Sequence, residues 1–155
     1  MLVIWPVHTL TPVLEGSQIK DESPYLRAVE LLYAPTKTQG EMEANLSEAI
    51  NRFEREYMGR GPKKILTYLL SDLIVIRLIG VLTPSEQHLT LAQKGRDLLK
   101  EVRMHLVEQC RPQLEAMVHS ITGVKVLTMH YDISTVSGEA LLAFTLEALP
   151  KYRKK

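Results

Sequence analysis

Hydrophobic residues recur at helical spacing along residues 41 to 58. Because an α-helix turns once in about 3.6 residues, this spacing predicts one amphipathic helix with a single apolar side. Gly59 and Gly61 allow the backbone conformations that end a helix, and Pro62 cannot continue one. The predicted apolar positions are Met42, Leu46, Ala49, Ile50, Phe53 and Tyr57.

Two β-strands are predicted next, over residues 64 to 70 and 73 to 82. Both are dense in Ile, Leu and Val, and the polar pair Ser71-Asp72 between them has the length of a tight hairpin turn. The second strand is apolar on both sides, since a sheet alternates its side chains. One side carries Ile74, Ile76 and Leu78, and the other carries Leu73, Val75, Ile79 and Val81 around Arg77.

A sheet that is apolar on both sides needs a cover on each. Helices can supply one cover. For the other we expect the N-terminal arm, a second protomer or a partner protein, and we favour a homodimer.

The segment Thr83-Pro84-Ser85-Glu86 has the pattern of a helix start. Thr83 is expected to cap the helix, Pro84 suits its first position, and Glu86 can return a hydrogen bond to the cap. The helix is then expected to contain Gly95 as a weak position. Its predicted apolar stripe is Leu91, Leu98, Val102, Leu106 and Cys110.

Pro112 lacks a backbone donor, so the helix should kink or restart there. The final helical segment is predicted to hold Leu114, Met117, Val118 and Ile121 and to end at Thr122-Gly123. A strand over residues 124 to 131, a loop over 132 to 138 and a strand over 140 to 147 follow. The fold class is therefore α+β, in the order α-β-β-α-β-β. We expect a four-stranded, mainly antiparallel sheet with the helices on one face and the second helix kinked near Pro112.

The chain is expected to hold one main domain over residues 39 to 149, preceded by an arm or extension over residues 1 to 38. Prolines and turn residues make the arm a poor independent core. It is either a loosely held tail or a segment that docks on a partner. A short helix is predicted within it, with Tyr25, Leu26, Val29, Leu31 and Leu32. Residues 150 to 155 form a short basic tail, which we expect to be solvated.

Composition excludes several classes of function. Nineteen Lys and Arg against eighteen Asp and Glu leave a net charge of +1, so no global field favours nucleic acid or an anionic membrane. Cys110 is the only cysteine, which excludes an internal disulfide and suits a reducing, cytoplasmic location. No apolar run predicts a transmembrane helix, and the N-terminus lacks the basic leader of a signal peptide.

Two groups of residues are candidate binding sites. The loop with Arg60, Gly61 and Lys63, helped by Arg77 and Arg96, could hold an anion between backbone amides and cations. The alternative is a structural helix end, because the loop follows a helix and does not match a phosphate-binding motif.

The second group is Asp132, Ser134 and Thr135, whose carboxylate and hydroxyl groups could also make a self-bonded turn. His88, His105, His119 and His130 lack the spacing of a zinc helix, so no metal and no cofactor is predicted. No catalytic constellation is visible, and we expect the protein not to be an enzyme.

Several blocks of this sequence resemble the MpsC family, over about residues 39 to 147. They are EREYMGRGPK at 54 to 63, IVIRL at 74 to 78, GVLTPSE at 80 to 86, GR at 95, RP at 111, ITGVKV at 121 to 126, DIST at 132 to 135 and GE at 138. The resemblance implies association with a bacterial, cation-linked, membrane-potential-generating system whose membrane subunits are connected with inorganic-carbon uptake. It implies no catalytic residues.

The leading hypothesis is thus an accessory or regulatory subunit, a homodimer in the cytoplasm that binds membrane transport subunits at the inner face of the membrane. One alternative is a small-ligand or anion-binding sensor that uses the cationic residues above. A second is an RNA-binding α/β domain. The nucleic-acid signal is weak because the proposed strands carry few of the aromatic residues on which bases stack: Tyr68, Tyr131 and Phe144.

Overall fold

The computed structural model describes Arg27, Leu31, Leu32 and residues 34 to 154. The chain separates into two compact units, residues 1 to 34 and 35 to 155. In the first unit Leu31 and Leu32 are helical, as predicted, whereas Tyr25, Leu26 and Val29 lie outside the described residues. The boundaries given above for arm, domain and tail stay predictions.

The second unit contains a four-stranded antiparallel sheet and helices that cover one of its faces. The sheet order is β1-β2-β4-β3. This confirms the α+β class and the order of elements, with the second helical region divided into three helices. The elements are α1 (Gln39–Tyr57), β1 (Lys64–Leu70), β2 (Leu73–Ile79), α2 (Pro84–Leu89), α3 (Gln93–Gln109), α4 (Arg111–Thr122), β3 (Val126–Ser134) and β4 (Glu139–Leu146).

Helix α1 begins at a capping box that joins Thr38 and Glu41. The Thr38 hydroxyl accepts a hydrogen bond from the Glu41 backbone N–H. In return, the Glu41 carboxylate accepts one from the Thr38 backbone N–H at 2.6 Å. The helix packs on β1 and α4. Of the predicted stripe, Met42, Leu46, Ile50 and Phe53 are buried, Ala49 is half-buried, and Tyr57 is exposed and stacked on Phe53.

Strand β2 confirms most of its predicted two-sided pattern. Ile74, Ile76 and Leu78 are fully buried on the helix-covered side, and Leu73, Val75 and Ile79 are half-buried on the other. The placement of Val81 on that second side was wrong, because β2 ends at Ile79 and Gly80 has a φ of +71°. The chain turns there, and Val81 is fully buried in the core. In the predicted hairpin turn, Ser71 has a positive φ of 60°.

The helix start at Thr83 is confirmed, but the single helix predicted after it is wrong. Thr83 and Glu86 form a capping box for α2, with the Glu86 carboxylate accepting from the Thr83 N–H at 2.7 Å. Helix α2 ends at Leu89, and α3 begins only at Gln93.

The break between α2 and α3 changes which side of α3 is buried. Its buried positions are Gly95, Leu99, Arg103 and Val107, whereas Leu91 before it and Leu98, Val102 and Leu106 within it are exposed. The predicted apolar positions Leu98, Val102 and Leu106 each precede a buried residue by one position. The difference arises because a new helix, with its own axis, begins after the break.

The predicted restart near Pro112 is confirmed. Helix α3 ends at Gln109, Cys110 leaves helical geometry with ψ of 4°, and Pro112 lies in the first turn of α4. Leu114 and Val118 of α4 are buried.

The C-terminal hairpin differs from its prediction in the extent of the loop. Strand β3 continues to Ser134, and only residues 135 to 138 form the turn before β4. The basic tail is not simply solvated, because the Arg153 backbone N–H donates to the Lys37 carbonyl at 2.8 Å. The tail therefore pairs beside the start of α1.

Candidate functional site

The predicted anion loop packs closely on neighbouring elements. Arg60 Nη1 donates to the Leu82 carbonyl at 3.1 Å. A side chain at Gly61 would meet Asn51 of α1, since a Cβ there would lie 2.5 Å from its Oδ1. These contacts favour the structural interpretation of the loop.

The five predicted anion-site residues do not share one described cleft. Lys63 lines a shallow cleft of about 300 Å³ with Gly80, Gln87 and Ser137, among others. Arg77 instead pairs with Glu139 at 2.6 Å on the sheet. Arg96 lies close to the end of α2, where its Nη1 donates to the Thr90 carbonyl at 2.9 Å. The binding of an anion by these residues stays a prediction.

The residues of the second predicted group have partners within the fold. Asp132 forms a 2.8 Å ion pair with Lys100 of α3, and the hydrogen bond from Lys100 holds the pKa of Asp132 below its usual range. Ser134 Oγ accepts from the Ser137 backbone N–H at 3.3 Å, and Thr135 is buried. Ser134 thus fits a self-bonded turn.

A buried cluster of polar side chains lies between the helices and the sheet. We call Glu54 of α1, Glu86 of α2, Arg103 of α3 and Tyr131 of β3 the buried polar cluster. Glu54 and Arg103 are each only 1% exposed. Their helices place them there because each lies four residues after a buried apolar residue, Ile50 and Leu99 respectively.

Arg103 donates hydrogen bonds to only one of the two carboxylates of the cluster. Its Nε and Nη2 each donate to an oxygen of Glu86 at 2.9 Å, which is a bidentate pair. Nη2 also donates to the Val81 carbonyl at 3.1 Å. Glu54 Oε2 lies 3.8 Å from Nη1, too far for a hydrogen bond. Glu86 is therefore the main partner of the guanidinium.

The pKa values of the two carboxyls move in opposite directions. Burial raises the pKa of Glu86, but hydrogen bonds from Arg103 and Thr83 outweigh this and hold the pKa below its usual range. Burial raises the pKa of Glu54 to about 7; the charge of Arg103 opposes this rise and that of Glu86 adds to it. Arg103 offsets the effect of burial on Glu54 only in part, because its guanidinium is already neutralised by Glu86.

Three buried atoms of this cluster have no hydrogen-bond partner among the described residues: Glu54 Oε2, Arg103 Nη1 and Tyr131 OH. Burial and, to a smaller extent, the charge of Glu54 raise the pKa of Tyr131 to about 12, and Arg103 opposes this rise. Buried polar atoms are nearly always paired, so three unpaired ones in one cluster are unusual. This cluster was not predicted from the sequence, although a charged residue on the apolar side of each of two helices was a usable signal.

A second feature is the side of the sheet that the described helices leave uncovered. We call it the open sheet face. Tyr68, Leu70 and Leu141 on it are each more than 40% exposed. Cross-strand pairs join Tyr68 with Val75, Val75 with Ala143 and Arg77 with Leu141. Its apolar part lies on β1, β2 and β4, around the Arg77 and Glu139 ion pair, and consists of Leu66, Tyr68, Leu70, Leu73, Val75, Ile79, Leu141 and Ala143. Strand β3 adds the polar residues Thr128, His130, Asp132 and Ser134 at the edge of this face.

The family described as "Na+-translocating membrane potential-generating system (MpsC)" matches residues 38 to 148, which include the buried polar cluster and the open sheet face. The chain belongs to the MpsC family. This confirms the resemblance predicted from the sequence.

Two similar proteins are known from Bacillus subtilis (strain 168). Uncharacterized protein YbcI is 36% identical over 110 residues, which cover 71% of this chain and 89% of YbcI. Uncharacterized protein YrhF is 24% identical over 102 residues, which cover 65% of this chain and 84% of YrhF. No solved structure matches the chain significantly. The relatives therefore assign no residue a role in this MpsC-family protein.

Within the described part of this MpsC-family chain, every helix is too short or too polar to cross a membrane. The same residues contain no group of three or more His, Cys, Asp or Glu side chains that could hold a metal ion. The proposals below are based on the buried polar cluster and the open sheet face.

Proposed function

We propose that this MpsC-family protein is a non-enzymatic accessory or regulatory subunit, which forms a homodimer and associates with a membrane system that transports cations or inorganic carbon. The open sheet face carries the proposal, because it is a large apolar surface that needs a partner. The family description supports a Na+-linked membrane system. Two parts of the proposal rest on the sequence resemblance alone: that the system transports inorganic carbon, and that this protein binds it at the inner face of the membrane.

The size of the open sheet face suits a protein partner. The apolar residues lie on three strands, β1, β2 and β4, over about seven residues of each, which gives about 24 by 14 Å, or roughly 340 Å² in projection. The relief of the side chains makes the accessible area larger than the projection. Each partner of a stable protein interface buries ~800 Å², so the open sheet face can supply the apolar centre of such an interface.

The charges on the open sheet face suit a second copy of the same chain. Arg77 and Glu139 form an ion pair among apolar neighbours, with side chains 45% and 31% exposed. A twofold interface brings the same patch of each protomer together. Each Arg77 could then also approach the partner's Glu139, so the patch is complementary to itself in charge as well as apolar.

The substitution Leu141→Glu on the open sheet face is expected to convert the dimer into a monomer, because it replaces an exposed apolar side chain of the interface by a carboxylate that the partner would have to desolvate. The measurement is the molar mass by size-exclusion chromatography with light scattering. Val136→Glu is the matched control, since Val136 is 85% exposed in the turn between β3 and β4 and should leave the dimer intact. A wild-type protein that stays monomeric at high concentration would contradict the homodimer.

The association with a membrane system is tested by co-purification from native membranes of the source bacterium. We expect wild-type protein to retain integral membrane transport subunits through mild detergent extraction, and mass spectrometry identifies them. Retention of no such subunit, by either the wild-type protein or the Val136→Glu control, would overturn the accessory role. A protein that dimerises but retains no membrane transport subunit would support the homodimer and contradict the association with a membrane system.

A further inference from the structure

The buried polar cluster has an excess of one negative charge when its two carboxyls and Arg103 are ionised and Tyr131 is neutral. Glu54 and Glu86 then contribute two negative charges, and Arg103 contributes one positive charge. Glu86 and Arg103 form the bidentate pair, so the excess negative charge resides on Glu54. An uncompensated charge in a protein interior costs several kcal/mol, and binding a proton is the simplest way to remove it.

We propose that Glu54 is a proton-binding site, whose carboxyl is protonated while α1 and α3 pack as described and whose deprotonation loosens α3. A neutral carboxyl is both donor and acceptor. It can therefore accept from Arg103 Nη1, which lies 3.8 Å from Glu54 Oε2, and donate to the Tyr131 hydroxyl. A protonated Glu54 could thus satisfy all three atoms that have no partner.

The groups that face Glu54 support this assignment. Arg103 of α3 lowers its pKa and Glu86 of α2 raises it, while Tyr131 of β3 is the remaining ionisable group of the cluster. Helix α4 and β1 also pack on α1, and neither adds a charge to these causes. Burial is the largest cause, so the pKa of Glu54 reaches about 7. The site should therefore lose its proton in the neutral to mildly alkaline range.

Proton binding by Glu54 makes stability depend on pH with a definite sign. The folded-state pKa is raised from 4.5 to about 7, so the contribution is fully present below pH 4.5 and is lost as pH rises through 7. The lowered pKa of Glu86 acts in the opposite direction and only at more acid pH, below its ordinary value of 4.5. Between pH 5 and pH 8 the effect of Glu54 therefore dominates within the cluster.

Two measurements test the proposal on the full chain. Carbon-detected NMR of the glutamate carboxyls should show that Glu54 titrates near pH 7 in the folded wild-type protein. Urea unfolding at pH 5 and pH 8 should show that wild type loses stability relative to Glu54→Gln. The expected change in relative folding constants is roughly 70-fold, because the proton binds to the folded state about 300 times more tightly than to the unfolded state.

Glu48→Gln is the matched control, since Glu48 lies on the same helix with its side chain 75% exposed. It should follow the wild-type pH dependence. A Glu54 titration midpoint below pH 5 would overturn the proton site, whether or not Glu54→Gln folds well. Equal pH dependence of Glu54→Gln and wild type would do the same.

The coupling to α3 is tested separately by amide hydrogen exchange. Protection factors of the α3 amides, corrected for the intrinsic pH dependence of exchange, should fall between pH 6 and pH 8 in wild type. They should stay constant in Glu54→Gln, in which the neutral amide cannot ionise. Constant protection of α3 in wild type would overturn the coupling between Glu54 and α3. The NMR titration decides separately whether Glu54 binds the proton.

Discussion

Replacing Arg103 with methionine is expected to lower the free energy of unfolding by about 3 to 5 kcal/mol at pH 7. The substitution keeps much of the buried volume but removes the bidentate partner of Glu86 and the cation nearest Glu54. Two carboxyls would then face a buried site without a counter-charge. Since a domain of this size is stabilised by only about 5 to 15 kcal/mol, the loss is a large share of the total.

Urea unfolding measures this loss, and its pH dependence identifies the cause. The deficit of Arg103→Met should shrink at pH 5, because protonation neutralises carboxyls that have lost their partner. Lys94→Met is the control on the same helix, where the side chain is exposed, and it should change stability by less than about 0.5 kcal/mol. A deficit of Arg103→Met that stays the same from pH 7 to pH 5 would indicate lost packing and not unpaired charge.

The order of secondary-structure elements could be predicted because local signals define most of them. The spacing of Met42, Leu46 and Ile50 predicted α1, and the capping pattern at Thr83 and Glu86 predicted the start of α2. Each of these signals lies within a few residues of the chain. The loop between β3 and β4 was predicted too long, because Asp132 and Ser134 are turn-forming residue types that here occupy strand positions.

The candidate sites could be predicted only in part. The open sheet face follows from the alternation on β2, since Val75 and Ile79 are apolar on the side opposite Ile74 and Ile76. The buried polar cluster joins four separate elements, so no local pattern contains it. Glu54 gave a signal on the apolar side of its own helix, but its partner is known only once the helices are packed.

The failure to predict the break between α2 and α3 has one physical origin. Gly95 was read as a weak position in a continuous helix, because glycine has a low helix propensity. In the structure Gly95 lies where α2 and α3 come into close contact, because the Leu89 carbonyl approaches the α3 backbone there. Sequence alone gives the propensity of glycine but not the position of the neighbouring backbone.

Replacing Gly95 with alanine is accordingly expected to destabilise the protein by about 3 kcal/mol, as overpacked sites do. A Cβ at Gly95 would lie 1.9 Å from the Leu89 carbonyl oxygen and 2.9 Å from its carbon. Both are backbone atoms, so no rotamer change relieves the clash, and α2 must move away from α3. That movement would also strain the Arg96 contact with the Thr90 carbonyl and the pair between Glu86 and Arg103.

Thermal and urea unfolding of Gly95→Ala and Gly40→Ala separate close packing from helix propensity. Gly40 lies in the first turn of α1 with nothing within 4 Å of an added Cβ, so its replacement should be neutral or stabilise by up to about 1 kcal/mol. The two substitutions make the same chemical change within a helix, and we expect effects of opposite sign. Stabilisation by Gly95→Ala would show that α2 and α3 are not in close backbone contact, and would restore the continuous helix that the sequence pattern predicts.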